Sequence, residues 1–188
     1  KLDAILPRDR TVVIDSGHSM GWPIIYLSAP DAAGFVFSND FMAVGLGLGT
    51  AFGAAIAHPD RLTVCTPGDG GLMMSLGERE TFVRYKIPAL VIVINDASYG
   101  AEVHLLKNVG LPGHGAFFRD NDFAAIASAM GAQGITVRDV TDLERLHPWL
   151  NERAGPMVVD CKVDPQLRGD WFSKVFAPGG WYQRMCVH

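Results

Sequence analysis

Two glycine-rich turns in this 188-residue chain carry carboxylates whose placement could hold a metal ion and a phosphate group. Gly68-Asp69-Gly70-Gly71 follows the apolar run that ends near Cys65, and Asn95-Asp96-Ala97-Ser98 follows the run that ends at Ile94. Ligands of open parallel sheets gather at the carboxyl ends of the strands. If the two runs are neighbouring strands, the two turns face each other.

The residue types in these turns suit a divalent cation bound to phosphate. Asp69 and Asp96 could each offer a carboxylate, and a backbone carbonyl such as that of Ser98 could add a third oxygen. Mg²⁺ prefers oxygen ligands and usually keeps some waters and substrate phosphates. The N–H groups of Gly70 and Gly71, which open a predicted helix, could reach phosphate oxygens. Taken singly, the first turn could be a helix cap and the second an ordinary turn; the pair at consecutive strand ends favours a site.

The elements that must position these turns alternate along the chain, which predicts an α/β fold with an open, mostly parallel sheet and helices on both faces. Strands are predicted at residues 11–14, 35–37, 62–65, 89–94, 135–137 and 157–163. Helices are predicted at 43–57, 72–85, 122–130 and 141–153. Asp122 is the expected N-cap of the third helix, and Thr141 with Glu144 the expected capping box of the fourth. From Pro165 on, we expect an irregular tail.

Composition excludes several classes of protein. Apolar residues make up 48% and charged residues 19%, enough for a full core. The net charge of −4, without a basic stripe, argues against a nucleic-acid partner, and no apolar stretch is long enough to span a membrane. Three cysteines without CxxC spacing argue against disulfides or zinc and fit a reducing cytoplasm. The start at Lys1, inside an apparent helix, leads us to expect a piece of a longer polypeptide.

Gly68-Asp69-Gly70 followed by Asn95-Asp96 resembles the signature of the thiamine-diphosphate enzymes, Gly-Asp-Gly and then Asn-Asn or Asn-Asp. The resemblance extends over nearly the whole chain and is closest to the benzaldehyde lyase and acetolactate synthase branch, through residues 45–54, 76–84 and 99–104. It implies the thiamine-diphosphate-binding fold. Residues 1–164 would form the diphosphate-binding (PP) domain, and residues 165–188 a tail over the active site or a subunit interface.

The resemblance also implies roles for the residues of the two turns. Asp69 and Asp96 would bind Mg²⁺ through their side chains, and Ser98 through its carbonyl. Gly70 and Gly71 would hold the diphosphate. The family usually has Asn where this chain has Asp96; both residues are oxygen donors.

Further cofactor contacts are implied outside these turns. His18 and Ser19 would contact the diphosphate, and Val44 would support the bent cofactor where many relatives have Met. The backbones of Met42 and Val44 would bond the aminopyrimidine edge. His104 is a weaker candidate for an acid–base role at the substrate pocket.

Aromatic residues and one small residue complete the candidate pocket. Tyr99 and Ala101 could shape it, although Tyr99 could equally be core. Four tail residues could cover the active site or an interface, or simply pack the domain's edge: Trp171, Phe172, Trp181 and Tyr182.

The glutamate that activates the cofactor in this family belongs to a separate pyrimidine-binding domain, and no stretch of this chain resembles that domain. We therefore expect the chain alone to be inactive, and the missing domain to come from the same or another polypeptide. A cofactor held between domains implies a homodimer, and the family suggests a homotetramer.

The activity implied is a thiamine-diphosphate-dependent C–C bond lyase or carboligase acting on 2-oxo acids or 2-hydroxy ketones, with the cofactor as electron sink. One alternative is a 2-oxo acid decarboxylase, including one built from two subunits; another is a degenerate domain retained for regulation or assembly. A dinucleotide-binding Rossmann protein is a further alternative, since Gly47, Gly49 and Gly53 imitate its fingerprint. That interpretation requires a strand directly before Gly47.

Overall fold

A computed structural model describes residues 1–176. Within them lies a sheet of six strands: β1 (Arg10–Asp15), β2 (Phe35–Ser38), β3 (Leu62–Thr66), β4 (Leu90–Asn95), β5 (Gln133–Val137) and β6 (Met157–Lys162). The spatial order is β2-β1-β3-β4-β6-β5, and each neighbouring pair runs parallel. The expected α/β fold with a parallel sheet is therefore confirmed.

The described residues form nine α-helices: α1 (Leu2–Ile5), α2 (Gly21–Tyr26), α3 (Gly47–Ala57), α4 (Asp69–Met74), α5 (Glu78–Arg84), α6 (Gly100–Asn108), α7 (Phe123–Ala129), α8 (His147–Glu152) and α9 (Asp170–Phe176). Short 3-10 turns lie at His18–Met20, Ala32–Gly34, Asp40–Met42, His114–Ala116 and Val140–Leu146. None of these helices is long and apolar enough to cross a membrane, a finding that covers residues 1–176.

The core has two layers because successive strand residues point to opposite faces of the sheet. On one face Cys65 packs with Leu48 of α3 and Phe82 of α5. On the other face Val64, one residue earlier in β3, packs with Trp149 of α8. All five side chains are 3% exposed or less. Helices therefore cover both faces, and the carboxyl ends of the strands form one edge.

Local chemistry explains several element boundaries. The Asp122 carboxylate accepts a hydrogen bond from Ala125 N at 2.9 Å, which confirms it as the N-cap of α7. The predicted helix at 141–153 was wrong in detail: a 3-10 turn precedes α8, and the capping box joins Asp139 and Asp142. Thr141 is not the cap, because its own N–H donates to Asp139 Oδ1 at 2.9 Å.

Other helix predictions also need correction. The helix expected at 72–85 is two helices, α4 and α5, and the one expected at 43–57 begins only at Gly47. Residues 100–108, where no helix was predicted, form α6. The tail is not irregular throughout, since residues 170–176 form α9 and Phe172 is 1% exposed.

Of the three glycines in α3, only Gly47 packs closely against a neighbouring element. A Cβ at Gly47 would lie 2.8 Å from Asp15 Cβ, whereas Gly49 and Gly53 have nothing within 4 Å. No strand directly precedes Gly47; a 3-10 turn ending at Met42 stands there instead. The dinucleotide-binding interpretation lacks its required strand and is wrong.

Cys65 is buried and Cys161 is partly buried, and both are free thiols. The predictions for Trp181, Tyr182 and Cys186 lie outside the described residues.

Candidate functional site

Three neighbouring strands end at the same point of the sheet edge and bring three turns together. β1 pairs with β3, and β3 pairs with β4. The turns after these strands line one cavity of about 920 Å³. This is within the size range of small-molecule and cofactor sites. All nine residues predicted as cofactor or metal contacts line it: His18, Ser19, Met42, Val44, Asp69, Gly70, Gly71, Asp96 and Ser98.

Asp69 and Asp96 place two carboxylates on the wall of this cavity. Asp69 is 2% exposed; its Oδ1 accepts from Gly70 N at 3.0 Å, and its buried Oδ2 has no partner among the described residues. Burial, followed by the charge of Asp96, raises the pKa of Asp69 to about 7. Burial also raises the pKa of Asp96. Two acids whose charged forms are disfavoured in this way would be stabilised by a divalent cation bound to both.

The turn after β4 holds Asp96 in a defined orientation. Asp96 Oδ1 accepts from Ser98 N at 3.1 Å and from Ser98 Oγ at 2.9 Å. Ala97 has φ of 54°, an uncommon left-handed conformation for a residue with a side chain. A Cβ at Gly100 would lie 2.6 Å from Asp96 Oδ2 and 3.2 Å from His18 Nδ1. Only glycine therefore fits behind this carboxylate.

Asn95, the residue before Asp96, braces the same turn from behind. Its Nδ2 donates to Asp160 Oδ1 at 2.8 Å and to Asn121 O at 3.1 Å, and its Oδ1 accepts from Ala97 N at 3.2 Å. Asn95 is 2% exposed and points away from the cavity wall. It positions the turn and does not face the ligand.

The glycines of α4 let neighbouring side chains pack directly against the backbone. A Cβ at Gly70 would lie 2.6 Å from the ring of Tyr99, and a Cβ at Gly71 would lie 2.6 Å from Asp15 Oδ2. Both glycines line the cavity beside Asp69. The Gly70 N–H already donates to Asp69, so it orients the carboxylate as well as lining the cradle.

His18 lies between the turns and the C-terminal helix. Its Nε2 accepts from Gly169 N at 3.4 Å, and its ring is 4.5 Å from that of His104 and 5.1 Å from that of Phe172. Burial, with smaller contributions from the charges of His104 and Arg168, lowers the pKa of His18 to about 4. The ring is therefore neutral at pH 7, with Nε2 accepting and the proton on Nδ1.

Most of the other candidate residues line the cavity, but His104 does not. Tyr99 and Ala101 line it, as do Trp171 and Phe172 of α9. His104 does not: it is 4% exposed, packs against His18 and Phe172, and its Nε2 has no hydrogen-bond partner among the described residues. The expectation that His104 lines the pocket is wrong, because α6 turns that residue inward.

Sequence reasoning missed several residues of this site. Ser16, Gly100, Glu102 and Phe176 line the cavity. Position was a usable signal for two of them, since Ser16 directly follows β1 and Gly100 opens α6 at the end of the turn after β4. Phe176 could not be found, because its place depends on α9 folding back over the edge of the sheet. Within residues 1–176, no group of three His, Cys, Asp or Glu side chains could hold a metal alone. A cation here would need backbone, water or cofactor oxygens as well.

Comparison with known proteins gives a family match across most of the chain. The family model described as "Thiamine pyrophosphate enzyme, C-terminal TPP binding domain" matches residues 15–161. Thiamine pyrophosphate, or TPP, is the same compound as thiamine diphosphate.

Curated relatives and a solved structure agree with this match. The acetolactate synthase of Bacillus subtilis is 31% identical over 156 residues, covering 82% of this chain and 27% of that protein. The pyruvate decarboxylase of Neurospora crassa is 25% identical, covering 87% and 29%. The thiamine diphosphate-dependent 4-hydroxybenzoylformate decarboxylase of Rhodococcus jostii RHA1 superposes with a TM-score of 0.77 at 24% identity, covering 87% and 31%, and shares the fold. The chain thus spans less than a third of the length of these proteins.

Proposed function

Because this chain belongs to the thiamine pyrophosphate enzymes, as their C-terminal TPP-binding domain, we propose that it holds the diphosphate and Mg²⁺ of the cofactor in a C–C bond lyase or carboligase. The main support for a metal site is the pair of carboxylates formed by Asp69 and Asp96. Asp69 Oδ2 is buried without a hydrogen-bond partner among residues 1–176, and the pKa values of both acids are raised, so a bound cation would stabilise their charged forms. The donor set fits Mg²⁺, which prefers oxygen ligands and shares its sphere with phosphate.

Each turn has a separate task in this proposal. Asp69 and Asp96 bind the cation through their side chains, and Ser98 through its carbonyl. Gly70 and Gly71 let the diphosphate approach the backbone, while His18 and Ser19 close the other side. The neutral His18 ring can donate from Nδ1 to a phosphate oxygen without a change in its protonation state.

The loop before α3 would hold the other half of the cofactor. Val44 is partly buried and lines the cavity; its Cγ1 would lie 3.3 Å from a Cβ at Gly17. Val44 would support the bent cofactor, and the backbones of Met42 and Val44 would contact the aminopyrimidine. When bound, thiamine diphosphate supplies a nucleophilic ring carbon and an electron sink for C–C bond cleavage and formation.

The remaining wall would receive the substrate. Leu105, Leu106 and Val109 of the α6 region line it with Phe172 and Phe176 of α9. These apolar side chains exclude water from the reacting carbon, which strengthens electrostatic interactions there. Such a wall fits a substrate with an apolar group on its carbonyl carbon, such as a 2-oxo acid or a 2-hydroxy ketone.

A pyrimidine-binding domain, from the same or another chain, would complete the site and supply the activating glutamate. The loop that would meet it has exposed apolar side chains: Phe41 is 103% exposed, Met42 53% and Leu46 41%. Apolar patches of this kind mark interaction surfaces. A homodimer or homotetramer, the boundary at residue 164 and a cytoplasmic location stay predictions.

Product analysis separates the two candidate reactions. The full-length enzyme, loaded with thiamine diphosphate and Mg²⁺, is incubated with pyruvate and an aldehyde acceptor. A carboligase gives substantial hydroxy ketone. Release of CO₂ and free aldehyde alone would replace the proposal by the 2-oxo acid decarboxylase, the activity named for two of the relatives above. No turnover of any 2-oxo acid or 2-hydroxy ketone by the loaded enzyme would contradict both.

A further inference from the structure

Asp15, at the end of β1, is a buried carboxylate to which neither the family match nor the proposed function assigns a role. It is 0% exposed, and no cation among residues 1–176 lies within ion-pair distance of it. A buried carboxylate is costly unless hydrogen bonds compensate for its lost hydration. What Asp15 bonds therefore indicates what it stabilises.

The partners of Asp15 are two backbone N–H groups, one in the loop before α3 and one directly after β1. Gly45 N donates to Oδ2 at 2.9 Å and to Oδ1 at 3.1 Å, and Ser16 N donates to Oδ1 at 2.9 Å. Burial raises the pKa of Asp15, while the N–H groups of Gly45, Ser16 and Gly47 act in the opposite direction. One carboxylate thus ties the end of β1 to the start of α3, thirty residues later.

The loop held in this way is conformationally strained. Phe41 and Met42 both have φ of 57°, and Gly45 has φ of 89°. A non-glycine residue in this region is strained and persists only where its surroundings impose the conformation. Ser16 assists Asp15, since its Oγ donates to Asn39 Oδ1 at 2.6 Å and lies 3.4 Å from Met42 O.

Asp15 also contacts the turn proposed to hold the diphosphate. A Cβ at Gly71 would lie 2.6 Å from Asp15 Oδ2 and 3.3 Å from Gly45 N, and a Cβ at Gly47 would lie 2.8 Å from Asp15 Cβ. The carboxylate is therefore wedged between the loop that presents Met42 and Val44 and the turn that carries Gly71. Its position sets the distance between these two parts of the cavity.

We infer that Asp15 is a positioning residue that holds the aminopyrimidine-side loop, residues 42–46, in register with the diphosphate turn. This inference rests on the proposed function. It predicts that loss of the Asp15 carboxylate weakens binding of the whole cofactor and spares binding of its diphosphate part alone.

The test uses Asp15→Asn in the full-length protein, because this substitution keeps the shape and removes one acceptor. Gly45 N bonds both carboxylate oxygens, so either orientation of the amide places its NH₂ against an N–H donor. Calorimetry in the presence of Mg²⁺ then measures two probes, thiamine diphosphate and inorganic diphosphate. The expected result is a dissociation constant at least about tenfold higher for thiamine diphosphate and within about threefold of wild type for diphosphate.

A control variant distinguishes loss of loop positioning by Asp15 from an effect of reduced thermal stability. Trp149→Phe removes the hydrogen bond from Trp149 Nε1 to Gly155 O at 3.0 Å, on the opposite face of the sheet. At a comparable loss of thermal stability it should change neither dissociation constant. If Asp15→Asn does not fold, Ser16→Ala takes its place, with a smaller, several-fold loss confined to thiamine diphosphate.

Two kinds of result would contradict the proposed role of Asp15. Equal weakening of both probes, or of neither, would overturn the role of Asp15 and leave the proposed function intact. A wild-type protein that binds diphosphate but not thiamine diphosphate, or that binds neither, would overturn the proposed function and this inference with it.

Discussion

Gly100 offers a sharp test of the metal site, because it lies directly behind one of the proposed ligands. An alanine Cβ there would lie 2.6 Å from Asp96 Oδ2, whereas ordinary contacts begin at 3.4 Å. The His18 side chain restricts movement of the new methyl group away from Asp96, with Nδ1 at 3.2 Å and Cβ at 3.3 Å. Gly100→Ala must therefore displace the Asp96 carboxylate by about 0.8 Å, well beyond the tolerance of about 0.2 Å for metal–ligand distances.

The expected effect is a loss of cofactor affinity with the fold intact. Changes to groups that support metal ligands typically reduce metal affinity 10–100-fold, or about 1.4–2.8 kcal/mol. We expect Gly100→Ala to raise the dissociation constant of thiamine diphosphate, and the Mg²⁺ concentration needed for half-saturation, by this factor. Calorimetry of the full-length protein at several Mg²⁺ concentrations measures both quantities.

The matched control is Gly77→Ala. Gly77 has φ of −61° and ψ of −32°, values that alanine adopts freely, and a Cβ there would meet nothing within 4 Å. Its cofactor affinity should equal that of wild type. If Gly100→Ala binds thiamine diphosphate within twofold of wild type, with the same Mg²⁺ dependence, then Asp96 is not a metal ligand.

Three further predictions concern Asp69, Arg79 and His18. Asp69→Ala should lose thiamine diphosphate during gel filtration in buffer containing Mg²⁺. Retention equal to that of wild type would contradict the assignment of Asp69 as a metal ligand. Arg79 is 3% exposed and both its Nη atoms lack partners among residues 1–176, so Arg79→Leu should raise the free energy of unfolding by about 1–3 kcal/mol in urea. As a control, Arg84→Leu at an exposed position should change the free energy of unfolding by no more than about 0.5 kcal/mol. A lower unfolding free energy for Arg79→Leu would contradict the prediction and show that the guanidinium has a partner. His18 has a folded pKa of about 4 against 6.5 unfolded, so the unfolded chain takes up a proton first and stability falls as pH drops from 6.5 to 4. Relative to His18→Gln, the free energy of unfolding of the wild-type protein should fall by about 3 kcal/mol between pH 6.5 and 4. A difference in unfolding free energy that stays constant over this pH range would refute the prediction.

The parts of the site that sequence predicted are those whose chemistry is local. Asp69 and Asp96 each follow a strand directly, and the pairing of β3 with β4 brings them together at one edge. Strand positions were predicted to within two residues, because β-branched runs bounded by Gly, Pro or Asn mark them well.

What sequence could not show depends on distant contacts. The bonds from Asp15 to the loop near Gly45 span 30 residues and exist only once β1 and α3 are packed together. Gly49 and Gly53 look like packing glycines in sequence, yet their surroundings are open. α9 was missed because its apolar residues are interrupted by Ser173 and Lys174, and its position is set by contacts with His18.

The most direct test of the account is the cofactor content of the full-length protein. The protein is purified in the presence of Mg²⁺ and denatured, and the thiamine diphosphate released per chain is quantified. The account predicts close to one equivalent, retained only while Mg²⁺ is present. No thiamine diphosphate, even after incubation with an excess of both cofactor and metal, would contradict the assignment of Asp69 and Asp96 as a working cofactor site.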